Sequence, residues 1–172
     1  MNLIEARPPP PESVLQGYRD RGAYTDAYCA LLPRAVTLAQ YVEAFYTSPL
    51  FRLERVILGL AVARPSTDIQ ARQLARGETD RFAAWTVEDR DRRQLLLCDF
   101  RAVTRSWLMV QPLDGDEGTR LWFGSAVVPT ARSVAEGRPR MGLAFRMLLG
   151  FHRVYSRLLL AAALRRLAPV RR

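Results

Sequence analysis

The chain has 172 residues, of which 49% are hydrophobic and 25% are charged, and this composition excludes an intrinsically disordered protein. The length predicts one domain with a proper core. The formal net charge is +9, and all 26 basic residues are arginines. Arginine without any lysine is typical of a GC-rich genome, so the excess alone does not indicate a nucleic-acid partner, and we predict none.

The positive charge is concentrated at the end of the sequence. Residues 1–136 hold 17 arginines and 17 acids, whereas residues 137–172 hold the other nine arginines and no acid. Such asymmetry can mark an acidic partner or a lipid surface. We favour a solvated, arginine-covered helix face, with membrane-surface contact through this basic C-terminal segment as the alternative.

The residues needed for metal, redox or dinucleotide chemistry are sparse. Cys29 and Cys98 follow no metal or redox spacing, His152 is the only histidine, and no Gly-x-Gly-x-x-Gly fingerprint occurs. We therefore predict no metal site and no cofactor. Residues 1–7 lack the pattern of a signal peptide, and no apolar run reaches the ~18 residues of a membrane span, so we expect a cytoplasmic protein.

The first elements in chain order are an N-terminal tail and one strand. Residues 8–11 are four prolines, which favour extended backbone, and we predict that residues 1–22 form a tail that is mobile or draped on the surface. Residues 23–168 are predicted as a single α+β domain, followed by a basic end at 169–172. The first strand is expected at 24–32.

Three helices are predicted next, at residues 38–46, 50–61 and 68–76. Thr37 and Thr67 each precede a glutamine by three positions, which is the pattern of a capping box. Ser48 is placed as an N-cap before Pro49 at the first helical position, and Gly77 is placed to end the third helix.

From residue 82 the pattern changes to strands separated by turns, at 82–88, 94–101, 103–111 and 119–128. With the first strand, they predict an antiparallel sheet of about five strands. Alternation gives a core face that carries Trp85, Val87, Leu96, Phe100, Leu108, Val110, Phe123 and Val127. The other face is also apolar, with Leu97, Trp107, Met109 and Trp122 beside Glu88, Asp99 and Arg105, so it too must be covered.

A long helix is predicted at residues 141–167, with Arg146, Arg153 and Arg157 in one stripe and apolar residues opposite. We expect its apolar face to pack on the sheet.

This order of elements resembles the START-like helix-grip architecture, in which the final helix lies across a curved sheet above a cavity. The second half also resembles the bacterial family called domain of unknown function 2867. The residues that carry this second resemblance span about the last 75 positions: Ser106-Trp107-Leu108, Gly118-Thr119-Arg120-Leu121, the strand 122–128, Gly142 and Phe151-His152. The resemblance implies a small hydrophobic ligand between the sheet and the last helix.

The residues predicted to bind that ligand are Trp85, Phe100, Phe123, Phe151, His152 and Tyr155. The aromatic side chains could equally form a solid core. His152 could act as a general acid or base, but residues 137–172 contain no acid, so an orienting carboxylate would have to come from the sheet. We expect no independent catalytic centre, and an enzyme that uses His152 is kept as an alternative.

The second sheet face offers a different function, as an interaction module without a ligand. Leu97, Trp107, Met109 and Trp122 could be covered by the tail, by the helices of residues 38–61 or by a second copy of the chain. We predict a homodimer, because the first predicted helices are long enough to cover only part of the sheet.

Overall fold

The fold is built on one antiparallel sheet. The structure is a computed structural model that describes residues 3–62, 65–113, 118–128 and 143–168. The side chains of Glu54 and of residues 57–62 and 143–151 are not described. The strands of the described residues are β1 (Glu5–Ala6), β2 (Tyr24–Leu32), β3 (Arg81–Phe82), β4 (Trp85–Arg90), β5 (Gln94–Asp99), β6 (Thr104–Pro112) and β7 (Thr119–Val127). Their spatial order is β1-β2-β7-β6-β5-β4-β3. The helices are α1 (Gln16–Asp20), α2 (Leu38–Tyr46), α3 (Pro49–Val62), α4 (Asp68–Arg76) and α5 (Leu143–Leu167).

The predicted α+β class with an antiparallel sheet is confirmed, but the described part of the chain has seven strands instead of about five. The two additional strands, β1 and β3, have two residues each, and so short a strand shows no alternation. β3 and β4 were predicted as one strand over 82–88. Ala83 separates them because its φ of 51° is incompatible with a continuous strand.

The predicted helix boundaries follow from capping that the structure confirms. Thr37 and Thr67 each accept a hydrogen bond from the backbone of the glutamine three residues later, in complete capping boxes. The Ser48 hydroxyl accepts from the Phe51 N–H at 3.3 Å, with Pro49 at the first helical position. Gly77 ends α4 in the left-handed conformation, at φ 78°, which glycine adopts without strain.

Helices α2 to α5 cover one face of the sheet, with α5 against β2, β7 and α2. Between them lies the larger of two apolar cores, which includes Tyr41 and Phe45 of α2, Leu108 and Phe123 of the sheet, and Leu160 of α5. The predicted packing of the last helix on the sheet is therefore confirmed over the residues described. The predicted start of that helix, at Met141 and Gly142, lies outside them.

The opposite face of the sheet is covered by the N-terminal segment, here residues 8–18. Leu15 is fully buried against Trp107, Met109 and Trp122 in a second apolar core. The side-chain oxygen of Gln94 accepts hydrogen bonds from the Trp107 indole and from the Val14 backbone, both at 3.0 Å. Because these bonds satisfy polar groups that are buried, they hold the segment in one position on the tryptophans.

The N-terminal segment covers the face that the sequence predicts to be an interface between two copies of the chain. Trp107, Met109 and Trp122 are at most 4% exposed, so this face is not open to a second copy. Leu97 lies on the helix side, in the larger core, and Leu96 takes its predicted place beside Trp107. Homodimerisation stays a prediction, and it would need a different surface.

Removal of the Leu15 side chain should test how much the N-terminal segment stabilises the fold. We expect Leu15→Ala to lower the free energy of unfolding by roughly 2–5 kcal/mol, because the residue is fully buried and leaves a cavity. Leu3→Ala is the matched control, since Leu3 is 72% exposed, and it should change stability by about 0.5 kcal/mol or less. Urea denaturation measures both variants, and equal effects would contradict a covering role for Leu15.

Candidate functional site

A row of polar side chains crosses the helix-facing side of the sheet. Register places Asp26 of β2 directly opposite Ser125 of β7, and Ser125 opposite Ser106 of β6. The next row on the same face is apolar and holds Tyr28, Phe123 and Leu108. Because side chains alternate between faces along a strand, the polar row lies inside the helix-covered layer and not on the surface.

Helix α5 adds two more polar groups above this row. His152 and Ser156 are four residues apart and therefore share one face of the helix. The His152 Nε2 lies 2.8 Å from the Ser125 Oγ, 3.5 Å from the Ser156 Oγ and 3.6 Å from the nearer Asp26 oxygen. The carboxylate beside His152 therefore comes from the sheet, and it is that of Asp26.

The hydrogen bonds determine where the protons lie. The Ser125 hydroxyl donates its single proton to Asp26 Oδ1 at 2.6 Å, so its oxygen can only accept from His152. The Nε2 atom of His152 therefore carries a hydrogen. Serine and carboxylate both face the same ring nitrogen, whereas a Ser-His-Asp triad places them on opposite nitrogens. This arrangement does not activate Ser125 as a nucleophile.

Asp26 is a buried carboxylate with an unusually full set of partners. Its side chain is 11% exposed, and the hydroxyls of Tyr24 and Tyr28 each lie 3.4 Å from Oδ2. Burial by itself raises the pKa of Asp26, but hydrogen bonds from His152 and Ser125 and the charge of His152 outweigh it and lower that pKa below its ordinary value. Asp26 is therefore an anion at neutral pH.

The polar row borders a partly enclosed cavity of about 260 Å³ between the sheet and helices α2, α3 and α5. Ser106, Ser125, His152 and Ser156 form part of its wall, and most of the remaining wall is aromatic or aliphatic: Phe45, Tyr46, Phe51, Ala84, Trp85, Phe100, Phe123, Tyr155 and Leu159. The arrangement can hold an apolar molecule while it presents hydroxyl and imidazole groups at one part of the surface.

Five of the six predicted ligand-binding residues line this cavity, namely Trp85, Phe100, Phe123, His152 and Tyr155. Phe100 is also 45% exposed, because it follows the end of β5. The sixth, Phe151, lies on α5, but its side chain is outside the described residues.

Sequence reasoning missed Asp26, Ser125 and the α2 and α3 residues of the wall. A signal for the first two was present: Asp26 interrupts the inward positions of β2, and Ser125 interrupts those of β7, where apolar residues are otherwise expected. Asp99 and Arg105, on neighbouring strands, do not pair with each other. Arg105 instead pairs with Glu88 at 2.9 Å and donates to the Tyr18 hydroxyl, while Asp99 accepts from the Val103 backbone.

Comparison of the chain with family models, curated proteins and solved structures gives no match. The resemblance to the domain of unknown function 2867 therefore stays a prediction. Among the described residues, no helix combines the length and hydropathy that a membrane span requires. Within the same ranges, no three His, Cys, Asp or Glu side chains are grouped so that they could hold a metal ion.

Replacement of the Asp26 carboxylate should make stability less dependent on pH. We expect Asp26→Asn to lower the free energy of unfolding at pH 7 by roughly 1–3 kcal/mol, since bonds to a charged group are lost. Because the pKa of Asp26 is lowered by folding, its stabilisation is present above the unfolded value of about 4 and disappears as pH falls through the folded value. The gap between wild type and variant should therefore shrink in acid.

Urea titrations between pH 7 and pH 2 measure this gap. Asp80→Asn is the matched control, because the Asp80 side chain is 77% exposed, and it should stay within about 0.5 kcal/mol of wild type throughout. A wild-type to Asp26→Asn difference that does not change with pH would show that the ionised carboxylate is not what stabilises the fold.

Proposed function

We propose that the protein binds a small hydrophobic molecule with one polar group in the cavity between the sheet and the C-terminal helix. The observation that carries this proposal is the cavity itself, whose wall is mainly apolar but includes Ser125 and His152 of the polar row along one part. Ligand sites are typically apolar pockets with a few placed polar groups. A core that served only packing would leave neither the space nor the buried polar row.

The order of strands supports a helix-grip architecture for this site. β2 pairs with β7, the meander continues from β7 to β3, and α5 lies against β2 and β7. In a helix-grip domain the ligand lies between the sheet and that final helix, which is where the cavity lies here. The START-like relationship is part of the proposal.

The size of the cavity limits the ligand. A cavity of about 150 Å³ is enough for benzene, and pockets that bind drug-sized ligands measure roughly 300–1,000 Å³. At about 260 Å³, the space suits a molecule of one or two rings, or a short branched chain.

The wall also suggests where a polar group of the ligand would bind. Ser125 and His152 both line the cavity, and a hydroxyl and an imidazole can each form a hydrogen bond with a polar group of the ligand.

Filling the cavity with a larger side chain should weaken ligand binding. We expect 1-naphthol, a two-ring probe with one hydroxyl, to bind the wild type and to bind Ala84→Phe at least about tenfold more weakly, because Ala84 is 4% exposed and lines the cavity. Ala35→Phe, at an exposed position outside the cavity, is the control and should bind like wild type. Calorimetric titration gives the affinities, and circular dichroism checks folding.

The proposal fails if 1-naphthol and similar apolar probes bind neither the wild type nor the control. Native mass spectrometry of protein purified from its own organism adds an independent readout, because it would show the mass of a retained natural ligand.

An acid–base enzyme is the second candidate, and the contact between Asp26 and His152 favours it. With its hydrogen on Nε2, a neutral His152 ring has its basic lone pair on Nδ1, for which the described residues provide no hydrogen-bond partner. A histidine buttressed by a carboxylate beside an apolar cavity suits abstraction of a proton next to a carbonyl group.

Exchange of the α-protons of small cyclic ketones in D₂O, followed by ¹H NMR, tests this second candidate. Catalysed exchange should be lost in His152→Ala while the thermal midpoint stays within a few degrees of the wild type. If the wild type does not accelerate exchange over buffer, binding without catalysis is the better description.

A further inference from the structure

A second cleft, whose wall includes Asp26, lies where residues 6–9 and Arg19 meet the start of β2 and helix α5. Its volume is about 450 Å³. Four arginines from three parts of the chain line it: Arg7, Arg19, Arg153 and Arg157. The cleft therefore gathers basic residues that are far apart in sequence, and it includes two of the nine arginines of the acid-free C-terminal region.

The positive charge of this cleft is only partly neutralised. Arg7 pairs with Glu5. Within the described ranges, Arg19, Arg153 and Arg157 make no ion pair with a carboxylate. The one acid of the cleft wall, Asp26, already accepts from Ser125 and lies beside His152. Four guanidinium groups thus lie near only two carboxylates, Glu5 and Asp26, so the cleft keeps a net positive charge.

Two of these arginines are held in place by tyrosines. The Arg157 guanidinium lies over the Tyr28 ring, 5.4 Å from its centroid, and Tyr28 is 3% exposed. The Arg153 guanidinium lies close enough to the Tyr24 hydroxyl for this group to raise the pKa of Arg153. Neither an aromatic ring nor a neutral hydroxyl neutralises a guanidinium, so both arginines keep their charge for an anion.

We propose that this cleft binds the phosphate group of a small soluble molecule. Guanidinium groups match the oxygens of phosphate in geometry and charge, and three of them favour a doubly charged anion over a single carboxylate. The site is concave and bounded on two sides by chain, which suits a compact ligand better than a flat lipid surface. It is distinct from the apolar cavity, and its test does not depend on the ligand proposed there.

Pyrophosphate is the probe, titrated calorimetrically into the full chain at low ionic strength. We expect binding that weakens as sodium chloride is added, because salt screens the charges. The double variant Arg153→Gln/Arg157→Gln should bind at least about tenfold more weakly. The matched control is Arg165→Gln/Arg166→Gln, which removes the same charge from exposed positions of the same helix, outside the cleft, and should bind like wild type.

Arg19→Gln keeps the test decisive if the double variant is poorly folded. It changes an exposed side chain on a different element, and it should also weaken pyrophosphate binding. Equal losses in the cleft and control variants would overturn the proposal in favour of general electrostatic attraction. Absence of pyrophosphate binding by the wild type would overturn it outright.

Sedimentation with vesicles of phosphatidylcholine containing 20% phosphatidic acid separates the two sources of phosphate. The proposal expects no vesicle binding that depends on Arg153 and Arg157. If vesicles sediment the protein through these arginines while pyrophosphate does not bind, the cleft recognises a lipid surface and the proposal is wrong.

Discussion

The pairing of β2 with β7 joins strands whose facing residues Asp26 and Ser125 are 99 positions apart in the chain. Nine consecutive residue pairs define its register. Since neighbouring side chains point to opposite faces, a slip of one residue would move Asp26 out of the helix-covered layer and bring Ala27 into it. The candidate site, the cationic cleft and the packing of α5 all depend on this register.

Gly124 of β7 shows how closely this register is linked to the other face. A Cβ atom at this position would lie 2.7 Å from the Asp26 carbonyl oxygen, 2.8 Å from a Leu15 methyl and 2.9 Å from the Trp107 ring. The space that other residues would fill is occupied by the N-terminal segment and the indole. On one face, β7 therefore contributes Ser125 to the polar row. On the other face, Gly124 leaves room for the N-terminal segment and the Trp107 ring, so both faces require the same register of β7.

Much of the local structure could be predicted because local chemistry specifies it. The capping residues Thr37 and Thr67 predict the first residues of α2 and α4, and Gly77 predicts the last residue of α4. Which side chains of β5 face the helices could not be predicted, because Leu95, Leu96 and Leu97 are all apolar and alternation cannot distinguish the two faces.

For the site, apolar periodicity was enough to find most of the aromatic wall, because those residues also face the core. The partners of His152 could not be found in this way. Asp26 lies 126 positions before it in the sequence, and only the β2–β7 pairing brings them together. Periodicity likewise shows that the tryptophan face must be covered, but it carries no information on whether the tail or a second copy covers it.

The N-terminal cover also affects how the chain can fold during synthesis. Leu15 leaves the ribosome well before Trp107 and Trp122, the residues on which it packs. Until β6 and β7 are made, the segment has no surface to bind, and once they are made the two indoles stay open to water until the segment returns. Loops this long close slowly compared with local turns. The earliest part of the domain to be made is thus among the last to reach its place, and in that interval the tryptophan face is where nascent chains can associate.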